Sequence, residues 1–133
     1  MKAINAVYNI LSNNSALTAV VSTRINQLRI PQGSSFPAIS YQLVSVVPNP
    51  SKSGPSESDF ARIQINSFGL TYQSAVQVAD LVRAAMEKTL PATFNSVFVQ
   101  AIEYDGEAHL SEDNADFAGV FHIAQDYIIN YNR

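Results

Sequence analysis

The sequence contains no cysteine and little charge, and both shortages exclude classes of function. Without cysteine, the chain has no disulfide, no thiolate ligand for a metal and no cysteine nucleophile. Charged residues make up 14% of the chain, against about 25% in typical globular proteins. The net charge of −3 gives no strong positive field that would attract nucleic acid. The surface must therefore display mostly uncharged polar groups, which lose less solvation energy than charges do when they contact another protein.

The chain also lacks long apolar runs. The longest of them, such as Ala19–Val21, are three residues, whereas a membrane-spanning helix needs about 20. Residues 1–5 contain one lysine and no apolar segment of the kind found in signal peptides. We therefore expect a protein that does not contact membranes and that stays in the cytoplasm of the cell in which it is made.

The length and the apolar content favour one domain over residues 1–133, because 47% of these residues are apolar. Apolar residues at helical spacing (Ile4, Val7, Tyr8 and Leu11) predict a helix over residues 2–12. A short helix capped by Ser15 follows it. Later in the chain, a long helix is expected to be capped by Thr71 and to end before Pro91. Residues 25–30 are predicted to form a short extended segment.

Alternating apolar and polar residues predict strands over 39–47, 60–69, 97–104 and 117–131. The pattern lacks the repeated strand–helix alternation of a doubly wound fold. We predict an α+β fold in the order α-β-β-β-α-β-β. Its mostly antiparallel sheet carries the long helix and the N-terminal helix on one face. The apolar face of the predicted sheet can pack against the apolar face of the long helix. This packing predicts a core that contains Ile39, Tyr41, Ile63, Ile65, Val78, Val82, Phe121 and Ile123.

Two segments are predicted to be mobile loops. Residues 48–59 are rich in proline and serine, and residues 105–116 contain five of the eleven carboxylates. The acidic segment is either an ordinary solvated hairpin or a charged element that contacts a partner or lines a channel. Because loops commonly carry recognition, the candidate partner-contact residues are Ser51, Lys52, Ser53, Glu57, Asp105, Glu107, Glu112 and Asp113.

No motif predicts catalysis. His109 and His122 are 13 residues apart, which matches no helical pair of metal ligands. The sequence has neither a nucleophile elbow nor a glycine-rich phosphate loop. Glu103, Asp105 and Glu107 would share one face if their strand continued, which leaves a carboxylate site as an alternative. We expect no catalytic residues, no cofactor and no metal.

Several segments of the sequence, taken in their order, resemble the tail-completion or tail-terminator proteins of long-tailed bacteriophages with flexible tails. These segments lie between an N-terminal amphipathic helix and an aromatic-rich final strand. They are Ser15–Val21, Arg24-Ile25, Gln32-Gly33, Phe36–Gln42, Ala61–Phe68, Tyr72 and Ala79–Ala85. The resemblance covers nearly the whole chain and rests on order and spacing. The segments 48–59 and 105–116 depart from the usual pattern.

The resemblance implies a non-enzymatic ring of six copies at the head-proximal end of the phage tail, assembled in the host cytoplasm. Such a ring stops polymerisation of the tail tube protein and offers a surface to a head-completion or connector protein. DNA passes through its lumen without specific binding. The alternatives are a head-closure or neck protein of the same joint, a small cytosolic α+β enzyme with a carboxylate site, and a monomeric adaptor that binds a peptide along an edge strand.

Overall fold

The computed structural model describes residues 2–31, 33–48, 58–111 and 120–132. Its helices are α1 (Lys2–Ser12), α2 (Ser15–Val21) and α3 (Tyr72–Met86). Its strands are β1 (Ile25–Gln27), β2 (Ala38–Pro48), β3 (Ser58–Gly69), β4 (Ala92–Phe94), β5 (Val97–Ser111) and β6 (Phe121–Asn132). The predicted α+β class is therefore confirmed.

The six strands form one curled sheet in the order β1-β2-β3-β6-β5-β4. Only β1 is parallel to its neighbour β2, and all other pairs are antiparallel. The final strand is central, because β3 and β5 flank it along its length. Among the described residues, no helix is long and apolar enough to cross a membrane.

One face of the sheet is buried under the helices, as its residue pattern predicts. The fully buried Ile63 and Ile65 of β3 belong to the same apolar cluster as Val78 and Val82 of α3. Seven of the eight predicted core residues are buried, and the eighth, Phe121, is half-buried. Tyr8, which we placed on the apolar stripe of α1, is 46% exposed. Its ring lies 6.1 Å from that of Tyr41 at the rim of the core.

Side-chain caps fix the starts of two helices. Thr71 caps α3 as predicted, since its hydroxyl accepts a hydrogen bond from the Ser74 amide at 3.1 Å. The cap of α2 is Asn14 rather than Ser15, because the Asn14 side chain accepts from the Leu17 amide at 2.9 Å. Both residue types are good caps.

Gly69 allows the close turn from β3 into α3. A Cβ at this position would lie 2.6 Å from the backbone nitrogen of Ala75, closer than real Cβ contacts come. A side chain would therefore push the first turn of α3 away from the sheet.

Several predicted boundaries are wrong. Pro48, Ser58 and Asp59 belong to strands rather than to the predicted loop, whose remaining residues 49–57 lie outside the described part. The extended segment after α2 forms a strand only over Ile25–Gln27, and the short strand β4 was not foreseen. The strand β6 begins at Phe121, and Val120 before it is not part of a strand, whereas residues 117–119 of the predicted strand lie outside the described part.

The buried position of Ile65 predicts a large cost for its truncation. Ile65→Ala should lower the free energy of unfolding by about 2–5 kcal/mol, because it removes buried methyl groups and leaves a cavity. Val47→Ala is the matched control, since Val47 is 54% exposed and its truncation should change stability by less than about 0.5 kcal/mol. Chemical denaturation of both variants measures the difference. Equal losses would contradict the assigned burial.

Candidate functional site

Two of the eight candidate contact residues, Asp105 and Glu107, lie within the described part of the chain. The other six (Ser51, Lys52, Ser53, Glu57, Glu112 and Asp113) lie outside it. Asp105 and Glu107 are not in a loop, because β5 continues through Ser111. The prediction that a loop begins at residue 105 is therefore wrong, and residues 112–116 of the acidic segment lie outside the described residues.

A β-bulge places Asp105 and Glu107 on opposite faces of the sheet. The register with β6 shifts between Tyr104 and Gly106, so one extra residue stands in β5. Gly106 has a φ of +135°, a backbone conformation that glycine adopts far more readily than other residues. The expected row of three carboxylates on one face is thus divided, which removes the main support for a carboxylate active site.

On the helix-free face, Asp105 belongs to an ionic cluster with Arg62 and Asp126. The Arg62 Nη1 lies 2.7 Å from Asp105 Oδ2 and 3.7 Å from Asp126 Oδ2. The hydrogen bond to Asp105 and the charges of Asp105, Asp126 and Glu103 raise the pKa of Arg62, and partial desolvation opposes them. The cluster joins three neighbouring strands, so it ties β5 to the centre of the sheet.

Glutamine side chains extend this cluster across the sheet. The Gln64 Nε2 donates to Asp126 Oδ1 at 3.5 Å, and the Gln42 Nε2 donates to Gln64 Oε1 at 3.3 Å. A polar ladder therefore runs over the helix-free face from β2 to β5. We define it by its five residues: Gln42, Gln64, Arg62, Asp126 and Asp105.

On the helix face, Glu107 is held by three hydrogen bonds rather than being free for a partner. The Tyr104 hydroxyl donates to Glu107 Oε1 at 2.6 Å, and the Gln125 Nε2 donates to the same oxygen at 3.2 Å. The His109 Nε2 donates to the other carboxylate oxygen, and its Nδ1 lies 2.6 Å from the Tyr72 hydroxyl oxygen. These contacts connect β5 to β6 and to the start of α3.

The same contacts change the ionisation of the residues involved. The Tyr104 hydrogen bond, helped by those from His109 and Gln125, lowers the pKa of Glu107, although partial burial opposes it. Burial, with smaller contributions from Glu107, raises the pKa of Tyr104 to about 12. The Arg83 guanidinium lies 3.9 Å from the centroid of the Tyr104 ring, a cation–π contact that fixes the ring against α3.

The two histidines lie on different faces and do not form a site together. His109 is in β5, not in the expected polar loop. His122 is half-buried on the helix-free face, where it stacks on Phe68 with ring centroids 4.5 Å apart. Its Nε2 lies 2.6 Å from the Asn66 side-chain oxygen. Within the described ranges, no three His, Cys, Asp or Glu residues are grouped so that they could hold a metal ion.

Two open strand edges complete the surface, and sequence reasoning did not locate them. β1 pairs only with Ile39–Tyr41 of β2, and β4 pairs only with Val97–Val99 of β5. The rest of each outer edge has no strand partner among the described residues. The exposed valines near the end of β2 were the available signal, because an apolar strand end without charges is typical of a paired edge.

Comparison with known proteins identifies the family. The profile of the family described as "Tail completion protein gp17" matches residues 5–131. The chain belongs to this family. No curated protein sequence matches it.

A solved structure has the same fold as this family member. A chain of the structure titled "Virion of native gene transfer agent (GTA) particle" superimposes with a TM-score of 0.75 at 17% identity, over 96% of this chain and 92% of that chain. At this identity the likeness shows the fold alone. The family membership makes this a structural protein of the phage tail and not an enzyme, and the virion tail is its location.

The hydrogen bonds to Glu107 predict a pH-dependent stability. Because the pKa of Glu107 is lowered in the folded state, its stabilisation is complete well above pH 4.5 and is lost as the pH falls through the folded pKa. Glu107→Gln should lower the free energy of unfolding at pH 7 by no more than about 1 kcal/mol, since the side chain is partly solvated. The difference from the native protein should shrink towards pH 3.

Denaturant unfolding between pH 3 and pH 7 measures this effect. Glu103→Gln is the matched control, because Glu103 lies on the opposite face of the same strand and is exposed. A difference between Glu107→Gln and the native protein that stays constant over this pH range would contradict the role given to the carboxylate.

Proposed function

We propose that this tail completion protein forms a ring, of six copies, on the head-proximal end of the tail tube. The ring ends polymerisation of the tube protein and presents the surface that a head-completion or connector protein binds. The observation that carries this proposal is the family match, which extends over residues 5–131 and therefore over almost the whole chain. The printed title of the solved structure, a gene transfer agent virion, supports the same setting.

A physical argument supports termination by a ring. A tube of stacked subunits grows because each added layer presents again the interface that the next layer needs. Growth stops when a protein binds the last layer and offers a different surface on its other side. The weakly charged chain suits such contacts, because uncharged polar groups are less costly to desolvate than ions.

The charges of the described surface support free passage of DNA through the ring. On the helix-free face, Glu103, Asp105 and Asp126 outnumber Arg62. The whole chain has a net charge of −3. Proteins that bind the phosphate backbone need a basic surface, so we infer that DNA crosses the lumen without specific binding.

Deletion of the gene tests the proposal. Without the ring, tube polymerisation has no stop, so electron microscopy should show tails of abnormal length that are not joined to heads. Expression of the native chain from a plasmid should restore normal virions, which controls for effects on neighbouring genes. Cryo-electron microscopy of the restored tails should show one ring of six copies at the head-proximal end.

The other outcomes separate the alternatives. Tails of normal length that lack heads would assign the chain to head closure rather than to termination. Tails of normal length that are joined to heads would contradict both functions. A purified subunit that remains monomeric does not bear on this test, because the ring is counted on the tail itself.

A further inference from the structure

The sheet ends in two open edges that differ from each other. The first is the outer side of β2 over Gln42–Pro48, beyond the segment that pairs with β1. The second is the outer side of β5 over Gln100–Ser111, beyond the segment that pairs with β4. Within the described part of the chain, neither edge has a strand partner. Each therefore presents backbone amide and carbonyl groups that no described strand pairs, and such groups are a template for another strand.

The β2 edge is apolar and carries no charge, although charges are the commonest protection of a free edge. Val44, Val46 and Val47 are 50%, 40% and 54% exposed, and the segment 42–48 contains no charged residue. Soluble monomers protect long edges with charges, prolines, bulges or covering loops, because an apolar edge pairs with other chains. In this segment, the described features of this kind are the bulge between Leu43 and Ser45 and Pro48 at the end of the strand. This edge is therefore suited to pairing with a strand of another chain in the proposed ring.

The two edges overlap along the strands and run in compatible directions. Cross-strand pairing places Gln42 in line with Gln64, Asp126 and Gly106, and it places Val46 in line with Ala61, Ile129 and Ile102. Because β2, β3, β6 and β5 are successively antiparallel, β2 is antiparallel to β5. A second copy related by rotation about an axis along the strands would bring its β2 antiparallel to the β5 of the first copy.

The side chains at the two edges are chemically complementary. The polar ladder ends in the Gln42 amide at the β2 edge and in the Asp105 carboxylate at the β5 edge. The Gln42 Nε2 uses one of its two hydrogens for Gln64. Asp105 uses Oδ2 for Arg62, which leaves Oδ1 able to accept. An amide of one copy can therefore donate to a carboxylate of the next and continue the ladder.

We propose that successive copies of this chain join by antiparallel pairing of the Gln42–Pro48 edge of β2 with the Gln100–Ser111 edge of β5. The sheet then continues from subunit to subunit. Because the edges differ, the contact is heterologous, and such contacts give a ring when the rotation between copies closes. This inference rests on the proposed ring and goes beyond it by naming the strands that build it.

Engineered cysteines test the contact, since the native chain contains none. Ser45→Cys on β2 is combined in turn with Ala101→Cys, Glu103→Cys or Ala108→Cys on β5, three exposed positions that cover different registers. Within one copy, β2 and β5 are three strand spacings apart, about 14 Å. A disulfide needs Cα atoms within about 7 Å, so any disulfide must join two copies.

Virions that carry these variants should give covalent multimers after mild oxidation. At least one of the three pairs should give a ladder of bands up to the full ring on a non-reducing gel, and a reducing agent should abolish it. The single variants should give only monomers. The matched control combines Ser45→Cys with Gln77→Cys, an exposed position on α3, and should also give only monomers.

Each other result overturns the proposal. A ring visible on the tails without a ladder from any of the three pairs would reject edge pairing and leave the proposed function standing. Absence of both the ring and the ladder would reject the two together. An equal ladder from the Gln77→Cys control would show random collision. A photo-reactive label on Ser45→Cys that captures the tube protein instead of a second copy would assign the β2 edge to that partner.

Discussion

Burial of one sheet face under α1 and α3 is the constraint on which the other features depend. Side chains alternate between the faces of a strand, so a shift of one residue would turn every buried side chain outward. Ile63 and Ile65 on β3, and Tyr127 and Ile129 on β6, are almost completely buried. Their burial fixes the register of the central strands, and this register determines which polar groups meet on the other face.

Bulges mark the places where β5 departs from that register. They shift the pairing with β6 between Val99 and Ala101 and between Tyr104 and Gly106. A bulge adds twist and moves the following side chains to the opposite face. The second bulge therefore separates Asp105, which pairs with Arg62, from Glu107, which contacts Tyr104 and Gln125. Both carboxylates connect the middle of β5 to neighbouring strands.

The proposed function sets two demands on this tail completion protein. It must fold, and it must also offer surfaces that other copies and other proteins would recognise. The helices and the inner sheet face meet the first demand with a well-packed apolar core. The edges and the helix-free face lie outside this core, and the proposed contact between copies uses the two edges. Backbone groups at an edge give directional contacts without many charges, which agrees with the low charge of the chain.

The sequence by itself determined the elements whose signal is local. Apolar spacing predicted α1 and α3, alternation predicted the central strands, the two patterns together predicted seven of the eight core residues correctly, and the order of the segments indicated the family. Tertiary structure decided the rest of the site. Whether β5 continues past Tyr104, and which face Glu107 then occupies, depends on pairing with β6, where Gln125, the partner of Glu107, lies 18 residues further along the chain. A bulge has little local signature beyond Gly106, and an edge is defined only by the strands that do not pair with it, so neither could be derived from residue patterns alone.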